Sequence, residues 1–236
     1  AASDVYKRQV NNGTDAITDL TTGDILIITS GCTANATGIT GFTATSSTVN
    51  NAVVANGNLT AANSGVTIDL GLVTTGAFTV TGGSGVDTIK GGAGNDIIAG
   101  AGDADIIYGG AGDDDLTGGS GDDSLTGNTG NDTFRSDSGT DTITLTGGTN
   151  NVTGGDGNDV IILSTGNDTV VSGNGNDDIT AAGGTNNITT GANNDEVTLT
   201  GGNNTVNTGN NNDEVTISGG TNNIDTGSGN DQITIS

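Results

Sequence analysis

An aspartate returns every nine residues along most of this sequence, and carboxylates at a fixed spacing can hold a metal ion or, in pairs, move protons. With position six of a nine-residue frame set at Asp87, the column reads Asp87, Asp96, Asp105, Asp114, Asp123, Asp132, Asp141, Asn150, Asp159, Asp168, Asp177, Asn186, Asp195, Asn204, Asp213, Asn222 and Asp231. Thirteen of these seventeen positions are Asp and four are Asn. The chain has no His and one Cys, Cys32, so it can build neither a Ser-His-Asp nor a Cys-His nucleophile, nor a zinc framework. Glycosidase-type carboxylate pairs would need an aromatic platform for the sugar, and the chain has three Phe, two Tyr and no Trp. Gly-rich strings such as GGAGNDIIAG, residues 91–100, open no helix, which excludes a nucleotide loop. What remains is oxygen-only ligation of a hard cation. Calcium, with six to eight flexible oxygen ligands, suits it better than the tighter octahedron of magnesium.

Other columns position those carboxylates. Position eight is apolar in every repeat, from Ile89, Ile98 and Ile107 to Val215, Ile224 and Ile233. A short apolar–polar run around it predicts a strand whose middle side chain points inward. Position four is Gly except at Asp103, Asn193 and Asn211, and positions one and two are mostly Gly in the early repeats. Glycine there allows sharp turns that aim carbonyls toward a shared point. Asp103 is expected to distort its loop, whereas Asn tolerates the left-handed region better. Acids off the frame (Asp103, Asp113, Asp115, Asp122, Asp137, Asp178, Glu196, Glu214) read as solvated surface.

These columns resemble the nonapeptide GGxGxDxUx, with U apolar, of the RTX (repeats-in-toxin) calcium-binding proteins, and especially RTX-type surface-layer proteins and adhesins. The resemblance covers residues 82–234. It implies an all-β, right-handed parallel β-roll or β-solenoid with 18 residues per coil, and calcium held between the loops of successive coils. Two repeats per coil put the loops on two faces. One face carries Asp87, Asp105, Asp123, Asp141, Asp159, Asp177, Asp195, Asp213 and Asp231 without interruption. Eight gaps there predict up to eight calcium ions. The other begins with Asp96, Asp114 and Asp132 and then decays to Asn150, Asp168, Asn186, Asn204 and Asn222, in loops such as GGTNN. Calcium is expected in the two gaps from Asp96 to Asp132, for about 8–10 Ca2+ in all. Beyond Asn150, stacked amides are expected to hydrogen-bond from coil to coil.

The net charge of −24, from 28 acids and four bases, excludes nucleic acid and anionic membranes as partners. It also repels a metal-free fold, and a chain with so few large apolar residues has little core to oppose that repulsion. Folding and calcium binding are therefore expected to be one equilibrium. No stretch has the length of a transmembrane helix. Residues 1–9 read as a non-native stub, and the sequence stops partway through a repeat, as a fragment would. Residues 10–81 read as a β-rich lead-in or cap, an irregular solenoid with strands in DILIITS, GFTATSSTV, GVTIDLG and GAFTVTG, running directly into the β-roll at 82–236. Asp15, Asp19 and Asp24 read as turn residues, and Cys32 as a small apolar strand residue.

No catalytic role is expected. The leading reading is a calcium-binding structural module of a secreted bacterial surface protein, extracellular or on the cell surface. It would fold on calcium, self-associate into a sheet or filament, and offer a Ser/Thr-rich surface to glycans. The alternative is the folding and export tail of a secreted RTX enzyme. A lesser one is an ice-binding solenoid, for which the row Asn158, Asn176, Asn194, Asn212 and Asn230 is regular but its position-three neighbours are not.

Overall fold

A computed structural model describes residues 65–74 and 76–236, and before them the strands Lys7–Arg8, Thr14–Ile17, Leu26–Ile28, Thr33–Ile39, Phe42–Thr43, Val49–Asn50 and Gly57–Ala61. Cys32, Asp19 and Asp24 lie outside the described residues. Every described element is a strand, and every strand pairing is parallel. Successive strands alternate between two long sheets. One runs from Thr14–Ile17 to Asn223–Asp225 and the other from Phe42–Thr43 to Gln232–Ile235. This is the parallel β-solenoid that the resemblance implies.

The register shows why the frame tolerates no insertion. Ile89 lies opposite Ile107 and Leu116 opposite Phe134, and this offset of 18 holds to the last strand, where Ile217 meets Ile235. A single extra residue would turn one coil's apolar side chains outward. The position-eight residues from Ile89 to Val215 are all buried and form one continuous core with Leu145, Leu163, Ala181 and Leu199 at position one. Ile224 is partly buried, and Ile233, on the last strand of its sheet, is 48% exposed.

Ahead of the repeats the same two sheets continue with longer coils. Thr67 lies opposite Thr88, Gly57 opposite Phe78 and Phe42 opposite Ile68. A third sheet pairs Lys7–Arg8 with Leu26–Ile28, and the latter with Val49–Asn50. Ile68, Leu70, Val73, Phe78 and Val80 extend the core stack into this region.

Asp103 does not distort its loop. It adopts φ +66 where its neighbours in the column, Gly85 and Gly121, have +94 and +128, and its Oδ2 accepts the Gly85 N–H at 3.0 Å. Aspartate can occupy left-handed backbone when its short side chain finds a local donor. Asn193 and Asn211 fill the same position at φ +86 and +83. Of the off-frame acids, Asp115 is half-buried and the rest are exposed.

Candidate metal centre

Each position-six side chain turns inward at the junction between a turn and the strand that follows it. From Asp87 to Asp213 these carboxylates are 0–2% exposed. One oxygen of each is spoken for. Asp87 donates its backbone N–H to Asp105 Oδ1 at 2.7 Å, Asp105 to Asp123 at 2.8 Å and Asp123 to Asp141 at 2.7 Å, and so on up to Asp213 and Asp231 at 3.1 Å. The opposite edge repeats this clamp from Phe78 N–H to Asp96 Oδ1, 2.7 Å, through Asp96 to Asp114 and Asp114 to Asp132. The frame assigned each Asp a charged oxygen for the metal and was silent on its other oxygen. In fact a tight turn leaves its backbone N–H without a ladder partner, and the next coil's Oδ1 supplies one.

The second oxygen has no such use. Oδ2 of Asp87, Asp105, Asp123, Asp141, Asp159, Asp177, Asp195 and Asp213 is buried with no donor in hydrogen-bonding geometry, as is that of Asp114 on the other edge, although the position-one hydroxyls of Ser136, Ser172 and Thr190 lie close enough to lower the carboxyls of Asp141, Asp177 and Asp195. An orphaned buried carboxylate oxygen is costly unless a cation meets it. Asp96 differs, because its Oδ2 accepts the Gly92 N–H at 2.8 Å.

Position-one glycine makes room for that oxygen. A Cβ on Gly82 would sit 2.3 Å from Asp87 Oδ2 and 2.4 Å from the Gly100 carbonyl; one on Gly154 would sit 2.6 Å from Asp159 Oδ2 and 2.3 Å from the Ser172 carbonyl. At Gly82, Gly91, Gly100, Gly109 and Gly154 the cradle is thus bordered by a carboxylate oxygen and a carbonyl oxygen of the next coil. Where position one carries a hydroxyl the walls still present oxygen. Ser136 donates to the Gly154 carbonyl at 2.7 Å, Ser172 to Thr190 at 3.1 Å and Thr190 to Thr208 at 2.9 Å. This buried hydroxyl row escaped the sequence reading, although Ser and Thr at an inward-facing position were its signal.

Burial dominates the electrostatics. It pushes the carboxyls of Asp105 and Asp114 up to about 7, and those of Asp96, Asp123, Asp159 and Asp195 up to about 6, with neighbouring carboxylates adding to the shift at Asp105, Asp114, Asp123, Asp159 and Asp195. Among the described residues no group of three or more acidic side chains converges as a metal cluster. Each slot has about one carboxylate per coil, and carbonyls must make up the rest. Calcium accepts such a set of hard neutral and charged oxygens, and zinc does not. The donors fit calcium.

The other edge changes character after Asp132. Asn150, Asn186, Asn204 and Asn222 stack as amides: Asn186 Nδ2 donates to Asn204 Oδ1 and Asn204 Nδ2 to Asn222 Oδ1, both at 2.8 Å. The turns change with them. On the carboxylate edge positions two and four both have a positive φ, position two even at Ala101 (+90) and Asp137 (+70), whereas on the amide edge position four alone keeps it, as in Gly184 (+84) and Gly202 (+82).

Among the described residues no helix is long and apolar enough to cross a membrane. No curated protein and no solved structure matches the chain. The family model of the RTX calcium-binding nonapeptide repeat matches residues 81–116, 108–143, 144–179, 180–215 and 216–234. Those segments span about two-thirds of the sequence and carry both carboxylate edges, and proteins built on these repeats bind several calcium ions. The chain belongs to the RTX calcium-binding nonapeptide repeat family.

Proposed function

We propose that this β-roll is a structural rod clamped by calcium along one edge, serving in a secreted bacterial surface protein. The observation that carries the reading is the row of eight orphaned, buried Oδ2 atoms from Asp87 to Asp213, all on one edge. Asp87, Asp105, Asp123, Asp141, Asp159, Asp177, Asp195, Asp213 and Asp231 would supply the carboxylates of that edge, and Asp96, Asp114 and Asp132 those of the short second row. Calcium would neutralise carboxylates that otherwise repel one another between coils. Supporting a structural role, the acids that burial perturbs all stand at position six of the repeat, and the chain has no His to pair with them.

Secretion fits the chemistry, since a chain that folds only with ample calcium stays unfolded until it meets it. Self-association into sheets or filaments is supported by long parallel sheets whose outer faces carry rows rich in Thr, such as Thr180, Thr198, Thr216 and Thr234. Calcium titration followed by circular dichroism and sedimentation velocity tests both parts. Strand signal should appear with calcium, and larger species should follow at higher protein concentration. A strand signal already complete in chelator would defeat the clamp, and a folded protein that stays monomeric would defeat the assembly.

A further inference from the structure

On the amide edge each asparagine makes the same set of bonds. Asn186 and Asn204 donate Nδ2 to the carbonyl three residues back, Gly183 at 2.9 Å and Gly201 at 3.0 Å, and to the next Oδ1 at 2.8 Å. Their backbone N–H groups reach that same next Oδ1 at 3.3 and 3.2 Å. The Oδ1 atoms of Asn204 and Asn222 therefore each receive two protons.

Asp168 stands in this row, 2% exposed. Its Oδ1 behaves as an asparagine's does, accepting the Asn150 N–H at 3.0 Å and Asn150 Nδ2 at 2.9 Å. Its own N–H donates to Asn186 Oδ1 at 3.0 Å. The next bond in the series is missing. Asn186 Oδ1 receives one donor where its counterpart Asn204 Oδ1 receives two, and a carboxyl oxygen can fill that place only if it carries a proton. Leu163 fills position one beneath Asp168, so this loop lacks the glycine cradle found at Gly154.

We propose that Asp168 is a proton-binding rung, a neutral carboxylic acid in the folded protein whose hydroxyl completes the amide row by donating to Asn186 Oδ1. The loops on either side, residues 147–150 and 183–186, hold Gly, Thr and Asn only, and its own turn, 164–167, holds Ser, Thr, Gly and Asn. No charged side chain from these elements faces it, and Asp159 and Asp177 belong to the opposite edge. Burial raises the Asp168 carboxyl above its ordinary value, against the lowering effect of the Asn150 bonds. The inference does not depend on how many ions the other edge takes.

Asp168→Asn supplies the missing donor permanently. In calcium-saturated protein at mildly alkaline pH, the variant should melt above wild type by roughly 2–4 °C. An acid whose pKa is raised on folding takes up a proton as the chain folds, so wild type gains stability as pH falls toward the ordinary carboxyl range. The gap between the two proteins should therefore close on acidification, because everything they share cancels. Calcium stoichiometry should be unchanged. In the infrared, wild type should show a protonated-carboxyl C=O stretch at a pH where exposed Asp is ionised, and the variant should lack it. A variant that fails to fold, melts at or below wild type when alkaline, or binds one calcium fewer overturns the proposal, and so does a wild type without the carboxyl band.

Discussion

Along one edge of the solenoid, Asp141, Asp159, Asp177, Asp195 and Asp213 each hold a neighbouring coil by one oxygen and leave the other oxygen buried and unpaired. Along the opposite edge of the same coils, Asn186 and Asn204 make the same backbone clamp and spend the rest of the side chain on the next amide. The two edges thus share the same coils and the same backbone clamp, and at position six they differ in a single atom, oxygen against nitrogen. That atom decides whether a coil closes by itself or needs a cation. The amide edge gives up a metal site and gains polar groups that are satisfied internally.

Removing calcium should be the strongest way to break this contrast. Both edges share every strand, so a chelator at neutral pH should abolish the strand signal of the whole repeat array rather than of one side. Far-ultraviolet circular dichroism checks it. Protons offer a second route to the same end. Burial lifts the carboxyls of Asp105 and Asp114 to about 7 and those of Asp96, Asp123, Asp159 and Asp195 to about 6, above the 3.8 of an exposed Asp. Groups whose pKa is raised on folding bind protons as the chain folds, so metal-free protein gains stability as pH falls through 7 and 6. Acidified, calcium-free protein should recover part of its strand signal, and calcium affinity should weaken over the same range.

Single substitutions sharpen the contrast further. Gly118→Ala would press a Cβ to 2.4 Å from Asp123 Oδ2, and about 1–3 kcal/mol of stability and one calcium should be lost together. Asn204→Ala would leave the Asn186 amide without its acceptor and cost a similar 1–3 kcal/mol, roughly, with the calcium count unchanged. Calorimetric titration beside thermal melts separates the two. The smallest effect belongs to the outer face, where Asp178, Glu196 and Glu214 lie in register on adjacent strands. Glu196→Gln should raise stability by about 0.2–1 kcal/mol without touching calcium binding.

Much of this was legible in the sequence because a solenoid writes its register into spacing. The inward row from Ile89 to Val215, the 18-residue offset and the handover from Asp132 to Asn150 all follow from reading columns. The split between the two oxygens of each Asp was not legible, because it depends on which backbone N–H groups the turn leaves unpaired. Nor was the satisfied Oδ2 of Asp96, which rests on the Gly92 N–H four residues back in its own loop. Asp103 was misjudged because residue type was weighed without its partner, Gly85, in the adjacent coil. Asp168 has the same letter as the calcium-edge aspartates, and its amide neighbours and Leu163 at position one set it apart.

The most direct measurement is a crystal structure grown with calcium, with anomalous data collected at a wavelength where calcium scatters. Peaks should lie in a line beside Asp87, Asp105, Asp123, Asp141, Asp159, Asp177, Asp195 and Asp213, with none beside Asn186, Asn204 and Asn222. A carboxylate edge without peaks, or peaks distributed equally along both edges, would contradict the calcium clamp.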